Sequence, residues 1–70
     1  MKIILPENAT ARREVDINGN PGLQVKIPNL RGWDIACKLA QANGTDLSSL
    51  AKAADLGVYE EYVMLGNGEM

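Results

Sequence analysis

Seventy residues, 46% of them apolar and with a formal net charge of −2, fit one small folded domain and argue against disorder. Histidine is absent and Cys37 is the only cysteine. An intrachain disulfide is therefore excluded, and the commonest metal ligand and acid–base residue is missing. The aromatics are Trp33, Tyr59 and Tyr62, so the core has to be built mainly from Ile, Leu, Val and Ala.

In chain order, Lys2–Leu5 is a short β-type run stopped by Pro6. Pro6 and Glu7 end it too early for the apolar region of a signal peptide, and no apolar run nears the ~20 residues of a membrane span. The chain therefore reads as cytoplasmic and without a membrane partner; a virion component also fits. Glu7–Ala11 reads as a loop. Arg13–Ile17 and Leu23–Ile27 alternate apolar and polar side chains with period two, around the turn-forming Asn18-Gly19-Asn20-Pro21-Gly22. A five-residue loop over 18–22 sets Ile17 opposite Leu23, Val15 opposite Val25 and Glu14 opposite Lys26.

Pro28 ends the second strand and Asn29 is the expected N-cap of a helix over Leu30–Ala42. Its apolar stripe runs through Leu30, Trp33, Cys37 and Ala40, widened by Ala36 and Leu39. Asn43-Gly44 supplies a left-handed stop. Thr45 or Asp46 then caps a second helix whose Leu47, Leu50, Ala51 and Ala54 share a face, ending at Gly57. Residues 58–65 fit a short helix or a strand; the composition of Tyr62–Leu65 favours a strand added at the sheet's edge.

The expected fold class is α+β: a small antiparallel sheet containing a β-hairpin, packed against two consecutive α-helices. Residues 1–28 form the hairpin region, 29–57 the helical pair and 58–70 the final strand or short helix. The expected core is Ile4, Val15, Ile17, Leu23, Val25, Ile27, Trp33, Ala36, Leu39, Leu47, Leu50, Ala54 and Leu56.

The candidate chemistry resolves into structure. Cys37 lies on a helical stripe with no histidine to act as its base, which suits a structural thiol. Glu60 and Glu61 are adjacent and diverge on either secondary structure, unlike a glycosidase pair. Gly19-Asn20-Pro21-Gly22 lacks the lysine and the following helix of a phosphate loop. No catalytic, metal or cofactor site is expected, and the chain reads as a non-enzyme that works by contact.

Charge is uneven along the chain. Residues 1–43 carry six basic and four acidic side chains, whereas residues 44–70 carry Lys52 against Asp46, Asp55, Glu60, Glu61 and Glu69. The acidic, tyrosine-bearing Tyr59, Glu60, Glu61 and Tyr62 are the candidate contact residues for a protein with a basic surface. The first functional expectation is accordingly a protein-binding module, such as a small phage- or bacterial-type accessory, inhibitor or assembly protein. An exposed strand edge adds homo-oligomerisation. A basic patch of Arg12, Arg13, Lys26 and Arg31 gives nucleic-acid binding as the less favoured alternative, since phosphate binding normally takes more positive charge.

Two resemblances accompany these readings. Trp33-Asp34-Ile35-Ala36, then Asn43-Gly44-Thr45-Asp46-Leu47-Ser48-Ser49-Leu50 and Ala54-Asp55-Leu56, resembles the two helices of a LysM module. It implies a strand–helix–helix–strand fold over Leu23–Leu65 and a glycan-binding role. Leu50-Ala51-Lys52-Ala53-Ala54-Asp55-Leu56, followed by Tyr62-Val63 and Leu65-Gly66-Asn67-Gly68, is similar to a phage-repressor helix-turn-helix, with Asp55 where that pattern has a small residue. It implies a DNA-binding regulator.

Overall fold

The computed structural model describes residues 2–67. In chain order it contains β1 (Thr10–Val15), β2 (Pro21–Lys26), α1 (Gly32–Ala42), α2 (Leu47–Ala54), β3 (Leu56–Val58) and β4 (Val63–Leu65). The strands form one antiparallel sheet in the order β1-β2-β4-β3, and the fold is α+β as expected. Leu23 and Val25 of β2 and Val63 and Leu65 of β4 point to one face. There they join Ile35, Ala36 and Leu39 of α1 and Leu50 and Ala54 of α2 in a continuous buried core. Among the described residues no helix is long and apolar enough to cross a membrane.

The first hairpin forms, but in a different register. Thr10, not Glu14, stands opposite Lys26, and Ala11 and Arg13 stand opposite Val25 and Leu23. The turn decides this. The Asp16 carboxylate accepts from the backbone N–H groups of Asn18 and Asn20, both at 2.9 Å. The Gly19 N–H donates to the Asp16 carbonyl at 3.0 Å, and Gly19 has φ +82°. These bonds make Ile17-Asn18-Gly19 a three-residue loop with glycine in the left-handed position. Pro21 and Gly22 therefore begin β2 instead of turning. The four-residue slide preserves which face each side chain takes. It carries Val15 and Ile17 beyond the core, however, and they are 64% and 86% exposed.

Helix α1 begins at Gly32, later than the expected Leu30, and Asn29 is not its cap. Asn29 has φ +68° in the Ile27–Leu30 turn after Pro28, closed by the Leu30 N–H to the Ile27 carbonyl at 3.3 Å. The buried stripe is Gly32, Ile35, Ala36, Leu39 and Ala40. Trp33, expected in the core, is 62% exposed, and Cys37 is half-buried. The rotation lets a strip of small residues with Ile35 and Leu39 sit close to the sheet, where an indole would hold the helix away. The expected stop holds: Asn43 is the C-cap and Gly44 follows with φ +66°.

Asn43 also fixes the N-terminal segment. Its side chain accepts from the Ile4 N–H at 2.9 Å and donates to the carbonyls of Ile4 (2.9 Å) and Leu39 (2.7 Å). Ile3 is thereby buried, while Ile4, the expected core residue, is 62% exposed. Of Lys2–Leu5, only Lys2 makes a β-type bridge.

Asp46 caps α2, accepting from the Ser49 N–H at 2.7 Å. That backbone hydrogen bond, with one from the Ser49 side chain, holds its carboxyl below its ordinary pKa. The helix stops earlier than the expected Gly57, at Asp55 in the left-handed conformation with φ +52°. Residues 58–65 are a hairpin arm rather than a helix. Contrary to the edge position expected for it, β4 lies inside the sheet between β2 and β3. Its Val63, Met64 and Leu65 are all buried, as a central strand requires. The closing Gly66-Asn67-Gly68 lies partly outside the described residues.

Candidate functional site

The face of the sheet opposite the helices carries the alternate set of side chains. Gln24 of β2 stands opposite Arg12 of β1 on one side and Met64 of β4 on the other, and Met64 stands opposite Gly57 of β3. Two residues beyond Gly57 and two before Met64, the same alternation brings Tyr59 and Tyr62 to this face. Their rings stack with centroids 4.9 Å apart and planes 15° from parallel. Glycine at 57 makes room for the Tyr59 ring, since a Cβ there would stand 3.3 Å from its Cε2. Likewise, a Cβ at Gly22 would stand 3.1 Å from the Met64 methyl.

The turn joining these tyrosines is held from outside. The Tyr59 N–H donates to the Tyr62 carbonyl at 2.9 Å, leaving Glu60 and Glu61 as a two-residue loop. Neither has a positive φ, unlike the residues of the turns that suit the twist of a two-residue hairpin. The loop is tied instead to the start of α1. The Gly32 N–H donates to the Glu60 carbonyl at 2.8 Å, and Arg31 Nη1 donates to Glu60 Oε1 at 3.1 Å. The N-cap residue Arg31 provides no side-chain cap of its own, so a distant carbonyl satisfies one of the unpaired helix N–H groups.

The four candidate contact residues Tyr59, Glu60, Glu61 and Tyr62 therefore form one structural unit. The tyrosines are half-buried, the glutamates exposed. Tyr59, Tyr62, Met64 and Gln24 continue into a shallow cleft whose other wall is Val15, Asp16 and Ile17, from the tip of the first hairpin. Val15, whose register sets it on the helix side of the sheet beyond the core, and Ile17 thus border this cleft from the hairpin's end. The signal for them in the sequence is Asp16 two residues before Asn18-Gly19, which centres the turn on Asn18.

The four basic candidates are not gathered into one patch. Arg12 and Lys26 lie on the tyrosine face, and Arg12 pairs with Glu14 at 3.2 Å. Arg13 alternates to the other face, and Arg31 is paired with Glu60. Lys26 and Arg31 border a second depression together with Glu61, so opposite charges are interleaved there. Among the described residues no group of three or more Cys, Asp or Glu side chains is disposed to hold a metal ion.

No protein-family model, curated protein or solved structure matches the chain. β2, α1, α2 and β4 follow the strand–helix–helix–strand order of the LysM resemblance, with β3 inserted before the last strand. The segment that the helix-turn-helix resemblance assigns to a second helix is the β3–β4 hairpin.

Proposed function

We propose that this protein is a protein-binding module whose contact surface is the sheet face opposite the helices. One observation carries the reading. A stacked tyrosine pair on the uncovered sheet face and two strongly exposed aliphatic residues at the end of the first hairpin, Val15 and Ile17, line the same cleft. Contiguous exposed apolar surface is the usual mark of a contact site. Tyrosine is enriched at such surfaces because it offers a rigid apolar body with a polar end. The rim supports a basic partner: Asp16 stands beside Ile17, and Glu61 makes no ion pair among the described residues.

A photo-cross-linking residue at Ile17, compared with one at Lys52 on exposed α2, tests this. Position 17 is expected to yield a discrete adduct in native extract, lost when Glu61→Lys and Tyr62→Ala are added. Equal labelling from both positions, or labelling unaffected by those changes, rejects the reading.

One further observation favours a second reading. Arg12 and Lys26 share the face with the tyrosines, a combination that suits single-stranded nucleic acid. Salt-sensitive retention of oligonucleotides, abolished by Arg12→Ala with Lys26→Ala, would support it. No mobility shift at low salt removes it.

A further inference from the structure

β1 is an edge strand; among the described strands it pairs with β2 alone. The Asp16 N–H donates to the Asn20 carbonyl at 2.8 Å, so Asp16 and Asn20 form a hydrogen-bonded pair. Bonded and non-bonded pairs alternate along an antiparallel ladder. Val15 opposite Pro21, Arg13 opposite Leu23 and Ala11 opposite Val25 are then non-bonded pairs, consistent with Pro21 having no N–H. Ala11, Arg13 and Val15 therefore turn their backbone N–H and C=O groups outward, along the free edge.

We propose that this edge pairs antiparallel with the β1 edge of a second copy of the chain, about a twofold axis at Arg13. The backbone allows only registers that set Ala11, Arg13 and Val15 opposite one another across the axis. The side chains choose among these. With the axis at Arg13, Arg12 of each copy faces Glu14 of the other, and Ala11 faces Val15. A shift of one step along the strand in either direction sets Arg12 opposite Arg12 or Glu14 opposite Glu14, and like charges directly opposite are unfavourable. The single like pair in the proposed register is Arg13 with its own copy. Arg13 is exposed, so its long side chain can splay into water. Val15, 64% exposed in one copy, gains an apolar neighbour.

The order of residues about Arg13, Ala-Arg-Arg-Glu-Val, is thus complementary to itself when reversed. Pairing two edges joins the sheets of both copies and removes an aggregation-prone border from each. A strand-edge contact is smaller than the ~1,600 Å² of a standard interface, so the dimer is expected to dissociate on dilution. It engages Val15 at the border of the tyrosine cleft but leaves Gln24, Tyr59, Tyr62 and Met64 clear, and it does not rest on the contact function proposed above.

Sedimentation equilibrium of the full chain across a concentration series tests the pairing. The wild type is expected to show a monomer–dimer equilibrium. Arg12→Glu or Glu14→Arg alone sets two like pairs across the axis and lowers the association constant by about tenfold or more. Arg12→Glu combined with Glu14→Arg recreates both pairs with the charges exchanged, and returns association to about the wild-type value. Circular dichroism confirms that each variant is folded. Three outcomes overturn the proposal: a monomer at every concentration, a double variant as dissociated as the single ones, or association lost on Tyr62→Ala but not on either β1 change.

Discussion

Gly32 and Tyr59 meet through their backbones: a Cβ on Gly32 would overlap the Tyr59 carbonyl oxygen and stand 2.9 Å from the Tyr62 carbonyl oxygen. The start of α1 and the tyrosine turn are therefore one assembly, and the absence of a side chain at 32 is a condition of it. Glycine near a helix start ordinarily weakens the helix relative to alanine. Here the sign reverses. Gly32→Ala is expected to cost about 1–3 kcal/mol, because the clashing atoms are backbone and the hairpin must move. Chemical denaturation measures the loss. Exposure of the tyrosines to an aqueous quencher should rise with it.

Asn43 holds the N-terminal segment through both backbone groups of Ile4. Asn43→Asp replaces a donor to two carbonyls with a carboxylate. It is expected to destabilise the fold by about 1–3 kcal/mol at neutral pH, more than Asn43→Ala does. Amide exchange at Ile4 should accelerate in both variants. Unchanged exchange at Ile4 would show that the segment is held elsewhere.

Asp55 and Gly66 form a second close pair, in which a Cβ on Gly66 would stand 2.5 Å from Asp55 Oδ2. Gly66→Ala alone should cost about 1–3 kcal/mol. Asp55→Gly, which relieves a left-handed conformation, should be neutral or stabilising. In that background Gly66→Ala should cost less than about 0.5 kcal/mol, since the three atoms nearest to the added Cβ belong to the Asp55 side chain. Additive losses in a double-mutant cycle would contradict this geometry.

The cap of α2 predicts a pH dependence. The pKa of Asp46 is lower in the folded state, chiefly through the Ser49 backbone hydrogen bond. A lowered folded pKa gives a contribution that is complete above the unfolded value and lost as pH falls through the folded one. Asp46→Asn keeps a capping oxygen but removes that titration. The wild type's stability advantage over Asp46→Asn should shrink as pH drops below the ordinary carboxylate range. An advantage that is constant or grows on acidification contradicts the assignment.

Trp33 stands clear of the core. Its fluorescence in the native state is expected to be red-shifted and readily quenched by iodide. Trp33→Ala should change stability by less than about 0.5 kcal/mol, as surface substitutions do. A blue-shifted, protected emission would place the indole against other residues.

The elements were legible where a local rule was strong. Period-two alternation from Leu23 to Ile27 marked β2, Asp46 marked the start of α2, and Asn43-Gly44 marked the end of α1. The contact tetrad Tyr59–Tyr62 was legible as composition, but not as a turn anchored to a helix. Val15 and Ile17 lie outside the core expected from the sequence because alternation gives the face a side chain takes, not the register along the neighbouring strand. Trp33 lies outside it because α1 carries two overlapping apolar stripes, and the one with Ile35 and Leu39 faces the sheet.

The sequence by itself determined that this protein has no histidine, no cysteine pair and an aliphatic core, and that two helices and a hairpin carry that core. Those properties depend on residue type and near neighbours. Tertiary structure alone decided that β4 enters the sheet beside β2, that α1 turns Ile35 and Leu39 inward, and that Glu60 caps a helix begun 28 residues earlier. Each joins groups far apart in the chain, the first and last through backbone hydrogen bonds and the second through side-chain packing against the sheet. The Gly32–Tyr59 approach selects among them, because only a residue without a Cβ fits there.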